Sequence, residues 1–168
     1  MISPAWTPGR GPLRILPGLL FRTERIWLQL VVAWALALGG SILLGSAVGA
    51  LVPHAEQPDF GHASSGVVFT LIVLFSPVVE TIMMGAVVAL LMRFIAAWQA
   101  VLVSAALWGV LHSLSTPTWG LVIWWPFLIF STVFATWRPS GFWRAAALVA
   151  VIHMAQNIGP ATAIVMNR

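Results

Sequence analysis

Five apolar runs, each near the length of a bilayer-spanning helix, govern what this chain can fold into. They are about Ile26–Val52, Gly66–Met92, Ile95–Leu114, Trp119–Trp137 and Phe142–Met166. A helix crossing a bilayer needs about 20 apolar residues. Charged residues make up 7% of the 168-residue chain, whereas a soluble domain is about a quarter charged. So few charges cannot cover a water-facing surface. In lipid each backbone polar group must be satisfied within the protein, which favours helices. The expectation is an all-α, polytopic transmembrane bundle of about five spanning helices.

The segments between the runs indicate how such a bundle is oriented. Residues 1–23 are rich in Pro and Gly and carry Arg10, Arg14 and Arg22. They read as a loose, basic cytoplasmic arm, with a short apolar patch near Ile15–Phe21 on the membrane surface. Residues 24–168 read as a single transmembrane domain. Placing the N-terminus inside puts Arg10, Arg14, Arg22, Arg25, Arg93, Arg138 and Arg144 on the cytoplasmic side, and only Arg168 outside. The first external loop carries Glu56 and Asp59. The positive-inside rule therefore favours N-in, C-out. The net charge of +4 is entirely arginine, set singly at the ends of apolar runs. That is a topology signal and gives no reason to expect nucleic acid as a partner. With no cysteine there is no thiolate metal site. Ser46–Ala50 resembles a signal cleavage site, but the run containing it is longer than a signal core, so a retained helix is expected. Ser41, Gly45 and Gly49 form a small-residue stripe suited to close helix packing inside the protein. Trp27, Trp98, Trp119, Trp137 and Trp143 fall where an interfacial aromatic belt would lie.

Glu80, His112, His153 and Asn157 stand out among the polar residues inside the apolar runs. Glu80 is the only acidic residue after Asp59 and sits near the middle of the second run. A carboxyl at that depth costs a few kcal/mol on insertion scales and defaults to a functional reading. The competing structural reading is a protonated, hydrogen-bonded glutamate. His112 lies near the outer end of the third run, and His153 and Asn157 share a face of the fifth. Rises counted from the turns at Arg93–Phe94 and Arg138–Gly141 put His153 at roughly 18 Å, Glu80 at roughly 20 Å, Asn157 at roughly 24 Å and His112 at roughly 27 Å. The four are therefore expected to meet. His54 and His62, in the outer loop, receive no role.

A glutamate beside a histidine in a dry site can take a proton from water and make it a nucleophile. A second histidine and an asparagine can stabilise the oxyanion that follows. The same Glu80, His112 and His153 also make up the ligand types of a catalytic zinc site. Residue types alone do not separate a metal-free site from a zinc site. A proton- or solute-handling relay and a non-catalytic immunity or scaffold protein are the alternatives to an enzyme.

Ser76–Thr81, Leu107–His112 and His153–Asn157 resemble, in order, the three motifs of the CPBP family (CAAX-protease and bacteriocin-processing intramembrane proteases, or Abi proteins). The family forms are Glu-Glu-x-x-x-Arg, Phe-x-x-x-His and His-x-x-x-Asn. The resemblance covers about Gly66 to Met166. It implies an endopeptidase of a bacterial plasma membrane, acting on protein or peptide substrates. In it Glu80 and His112 activate water, and His153 and Asn157 stabilise the oxyanion. No cofactor is implied beyond the zinc alternative. Thr81 stands in place of the family's second glutamate, Gly85 in place of its arginine and Trp108 in place of its phenylalanine. Thr81 and Gly85 are four apart on one helix face, so losing both leaves no orphan charge in lipid. A shifted register would instead place Val79 at the first glutamate and Met84 at the arginine.

Overall fold

The structure is a computed structural model that describes residues 10–53 and 61–166. The described residues are all-helical, without strands. Five helices are long and apolar enough to cross a membrane, as befits an integral membrane protein. They are α1 (Ile26–Leu51), α2 (Ser65–Leu91), α3 (Ala97–Ser115), α4 (Gly120–Trp137) and α5 (Phe142–Met166). These match the five apolar runs to within a few residues at each end.

α4 is the central post of the bundle. Its apolar stretch is 72% buried, against 11% for α1. A helix apolar on all sides belongs in the middle, where neighbours cover every face. Phe127, Phe130 and Phe134 run down α4 at helical spacing and are among the largest fully buried side chains. The other helices turn Val, Leu, Ile and Trp outward, Trp27 and Trp143 among them. That arrangement is consistent with lipid as the surrounding solvent.

Contacts between helices fix their senses. Trp137, at the end of α4, donates its indole N–H to Gln29 Oε1 near the start of α1 at 2.6 Å. Trp125 Nε1 donates to the Leu36 carbonyl at 2.8 Å. α1 and α4 are therefore antiparallel. Gln156 Nε2 donates to Ser41 Oγ at 3.2 Å, which sets α1 and α5 side by side, and the tight turn after α4 at Arg138–Ser140 returns α5 in the same sense as α1. α3 and α4 cross where Gly109 faces Gly120, so closely that a Cβ on Gly120 would collide with the Gly109 carbonyl.

Three expectations are corrected. Residues 10–22 are not a loose arm on the membrane surface. They form two 3₁₀ turns, Gly11–Ile15 and Gly18–Phe21, and Leu13, Leu16, Leu20 and Phe21 are buried in the core. The Leu20 carbonyl accepts from both Gln29 Nε2 and Thr136 Oγ1 at 2.9 Å, which ties the segment to α1 and α4. Gly11 takes a positive φ of 47° beneath the Trp98 ring, where no Cβ would fit. Among the described residues the stripe on α1 makes a polar contact at Ser41. A Cβ added at Gly45 or Gly49 would meet nothing within 4 Å, whereas one at Gly40 would strike the Trp125 ring. Trp137 is buried rather than interfacial, because its indole N–H has a partner inside the bundle.

Candidate active site

The second helix brings its carboxylate to the bundle interior through a fault in its own register. Leu71–Phe75 form a π-helical turn, and the Ser76 N–H reaches back five residues to the Leu71 carbonyl. Pro77, immediately after, is buried. From there Pro77, Thr81, Met84, Gly85 and Val88 face inward at helical spacing. Glu80, beside Thr81, lies at the edge of this face.

Glu80 meets α5. Its Oε2 is 3.9 Å from His153 Nε2, and His153 is almost fully buried. That distance exceeds a direct hydrogen bond, and a water touching both groups can span it. On its other side, His153 Nδ1 lies 3.3 Å from Thr81 Oγ1. The Thr81 hydroxyl can donate or accept: with the His153 proton on Nε2, toward Glu80, it donates to Nδ1, and with the proton on Nδ1 it accepts. Thr81 thus ties α2 to α5. At Gly85 a Cβ would come within 2.5 Å of Phe134 Cε2. The space an arginine would need there is filled by that ring.

His112 stands across the same cavity on α3. Its Nδ1 is 2.8 Å from the Trp108 carbonyl one turn earlier. A carbonyl cannot donate, so Nδ1 carries the proton and Nε2 keeps its lone pair. The Phe127 ring neighbours both imidazoles, 5.7 Å from His112 and 5.4 Å from His153 between centroids. Trp119 meets His112 edge-on at 5.5 Å, and Phe130 lies 4.7 Å from His153. Both rings are therefore held by aromatic packing in addition to their Nδ1 contacts.

Glu80, His112, His153 and Asn157 all line one cavity of about 510 Å³, as do Ser41, Ser76 and Gln156. The four residues singled out by sequence are thus brought to a common space. Glu80 is paired with His153, however, and Asn157 already has a partner, since its Nδ2 donates to the Ile72 carbonyl at 2.9 Å. Among the described residues no three His, Asp or Glu side chains converge as a metal-binding group. The Trp108 carbonyl holds His112 Nδ1 and leaves Nε2 free, the way an imidazole that ligates a metal is oriented, so these bonds do not argue against zinc. His62 is exposed, and His54 lies outside the described residues.

Sequence reasoning undervalued Thr81 and Gln156. Thr81 registers only as a departure from the family pattern. Gln156 follows His153 by three residues, and that spacing was a usable signal for a shared face. Comparison with protein-family models, with curated proteins and with solved structures gives no match.

Proposed function

We propose that this chain is an intramembrane endopeptidase, CPBP-like in type, that hydrolyses peptide bonds with water activated by a glutamate and a histidine. The observation that carries this reading is the approach of Glu80 to His153 at 3.9 Å, on a mostly apolar cavity that His112 also faces. The three ordered motifs, each on a membrane-length helix, support it.

In this reading a water sits among Glu80, His112 and the substrate carbonyl. Glu80 takes one proton and the His112 Nε2 lone pair orients the other hydrogen. The water oxygen attacks the carbonyl carbon, and the His153 Nε2–H faces the oxyanion that forms. The carbon–nitrogen bond then breaks, and Glu80 returns its proton to the leaving amine. The Trp108 carbonyl leaves the His112 Nε2 lone pair free to accept, and in the tautomer with its proton on Nε2 His153 donates while Thr81 donates to Nδ1. The wall of the cavity is mostly apolar, with Leu38, Ile42, Val122, Ile123 and Phe127 among its lining residues. Internal bonds of apolar segments are therefore the expected substrates, delivered from the bilayer or its surface. A bacterial plasma membrane is the expected setting.

The test uses the purified chain in proteoliposomes with a library of quenched-fluorescent apolar peptides. Glu80→Gln, His112→Ala and His153→Ala should each reduce cleavage by roughly 100-fold or more, with helical content and melting retained. Wild-type cleavage by all three variants would sink the reading. A biological phenotype untouched by Glu80→Gln would point instead to a non-catalytic immunity or scaffold role, and proton flux lost with Glu80→Gln to a relay.

A further inference from the structure

The π turn in α2 leaves a backbone carbonyl without its ordinary partner. With the Ser76 N–H bonded to Leu71, the donor due to the Ile72 carbonyl in that register is residue 77. Residue 77 is proline and has no N–H. An unsatisfied carbonyl is not tolerated at membrane depth unless another group supplies a donor. Asn157 supplies it from α5, Nδ2 to O at 2.9 Å. A carbonyl accepts only from a donor, so the bond also fixes which way the Asn157 amide points.

We infer that Asn157 is a positioning residue that works with Pro77 as a two-part clamp on α2. Pro77 frees the Ile72 carbonyl, Asn157 holds it, and the held turn, which ends five residues before Glu80, sets the course of α2. Asn157 stands one helical turn beyond His153 on α5, so one helix places the imidazole and, through Ile72, the carboxylate that faces it. Asn157 then acts on Glu80 through the backbone of α2 rather than by touching the reacting atoms. Single π turns inside α-helices recur at functional sites, where they redirect one stretch of a helix. The catalytic part of this inference rests on the proposed endopeptidase. The geometric part does not.

The test is a rescue. Asn157→Ala removes the donor, whereas Pro77→Ala restores a backbone N–H to the same carbonyl. Four proteins are compared in proteoliposomes: wild type, each single variant and the double variant. The readouts are melting temperature, peptide cleavage and the infrared carboxyl band of Glu80, isolated by subtracting the same background carrying Glu80→Gln. Asn157→Ala should lower the melting temperature, shift the band and cut kcat on the order of 100-fold with KM little changed, the size of loss that misplacing a reacting group brings. Pro77→Ala alone should stay near wild type. The double variant should recover melting, band and cleavage together. If Asn157→Ala does not fold, a folded double variant is the same rescue in stronger form. The clamp is overturned if Asn157→Ala leaves the band unmoved, or if the double variant stays as damaged as the single. It is also overturned if melting and band recover without cleavage, because Asn157 would then be needed at the reacting atoms themselves. A wild type that cleaves nothing removes the endopeptidase reading and leaves melting and band to decide the clamp.

Discussion

In the CPBP-like reading proposed above, with Glu80 at the motif's first glutamate, Thr81 and Gly85 stand where the motif has a glutamate and an arginine, so packing takes the place of a pair of charges. A buried ion pair is costly to desolvate, and well-packed apolar groups can replace it without loss of stability. Here Thr81 meets His153 and the Phe134 ring covers Gly85. Putting an arginine back at position 85 should therefore fail twice, by overpacking and by burying an unpaired charge. Gly85→Ala should cost about 1–3 kcal/mol from overpacking alone, read as a lower melting temperature in detergent. Gly85→Arg should not accumulate as folded protein. The triple variant Thr81→Glu, Gly85→Arg, Phe134→Ala restores the pair and the room for it, and should fold better than Gly85→Arg. If Gly85→Arg alone melts like wild type, Phe134 does not guard this position.

At the scale of elements, span positions were legible in the sequence and side-chain partners were not. Length and hydropathy report the bilayer, so α1 to α5 lie within a few residues of the apolar runs. What an uninterrupted apolar run cannot report is which face packs, because core and lipid select the same side chains. The Gly45–Gly49 stripe misled for that reason, and Gly40 took the close contact instead. The candidate site was legible as four residues at similar depths, since polar groups in lipid must find one another. The π turn was not legible, because it depends on whether an α5 donor reaches the Ile72 carbonyl. The N-terminal turns were missed because Pro and Gly read as loop. Their anchor, Gln29, is a single fully buried polar residue in an apolar helix. Gln29→Leu should remove one of the two donors to the Leu20 carbonyl and leave the Trp137 N–H unpartnered, a loss of about 1–3 kcal/mol. Trypsin should then cut at Arg22 faster than in the wild type. An unchanged cleavage rate would show that apolar burial of Leu13, Leu16 and Phe21 holds the segment without it.

At the scale of the whole molecule, the alternating helix senses gather the arginines at one end. Arg22 and Arg25 precede α1, Arg93 follows α2, Arg138 follows α4 and Arg144 begins α5. Phe94, Trp27 and Trp143 are exposed at the same end, where amphipathic and aromatic anchors favour the headgroup layer. The cavity lies toward the opposite half, near the C-terminal parts of α1, α3 and α5 and the first turns of α4. If the arginine end is cytoplasmic, a peptide reaches Glu80 from the outer leaflet or the external face. The absence of cysteine makes this directly measurable, because any cysteine introduced is the only thiol in the chain. Phe94→Cys and His62→Cys place thiols on exposed residues at the two ends. In intact cells a membrane-impermeant maleimide should label His62→Cys at once and Phe94→Cys only after lysis. The opposite pattern would invert the molecule. The cavity would then face the cytoplasm, and its substrates would have to be cytoplasmic chains or the inner-leaflet portions of membrane proteins.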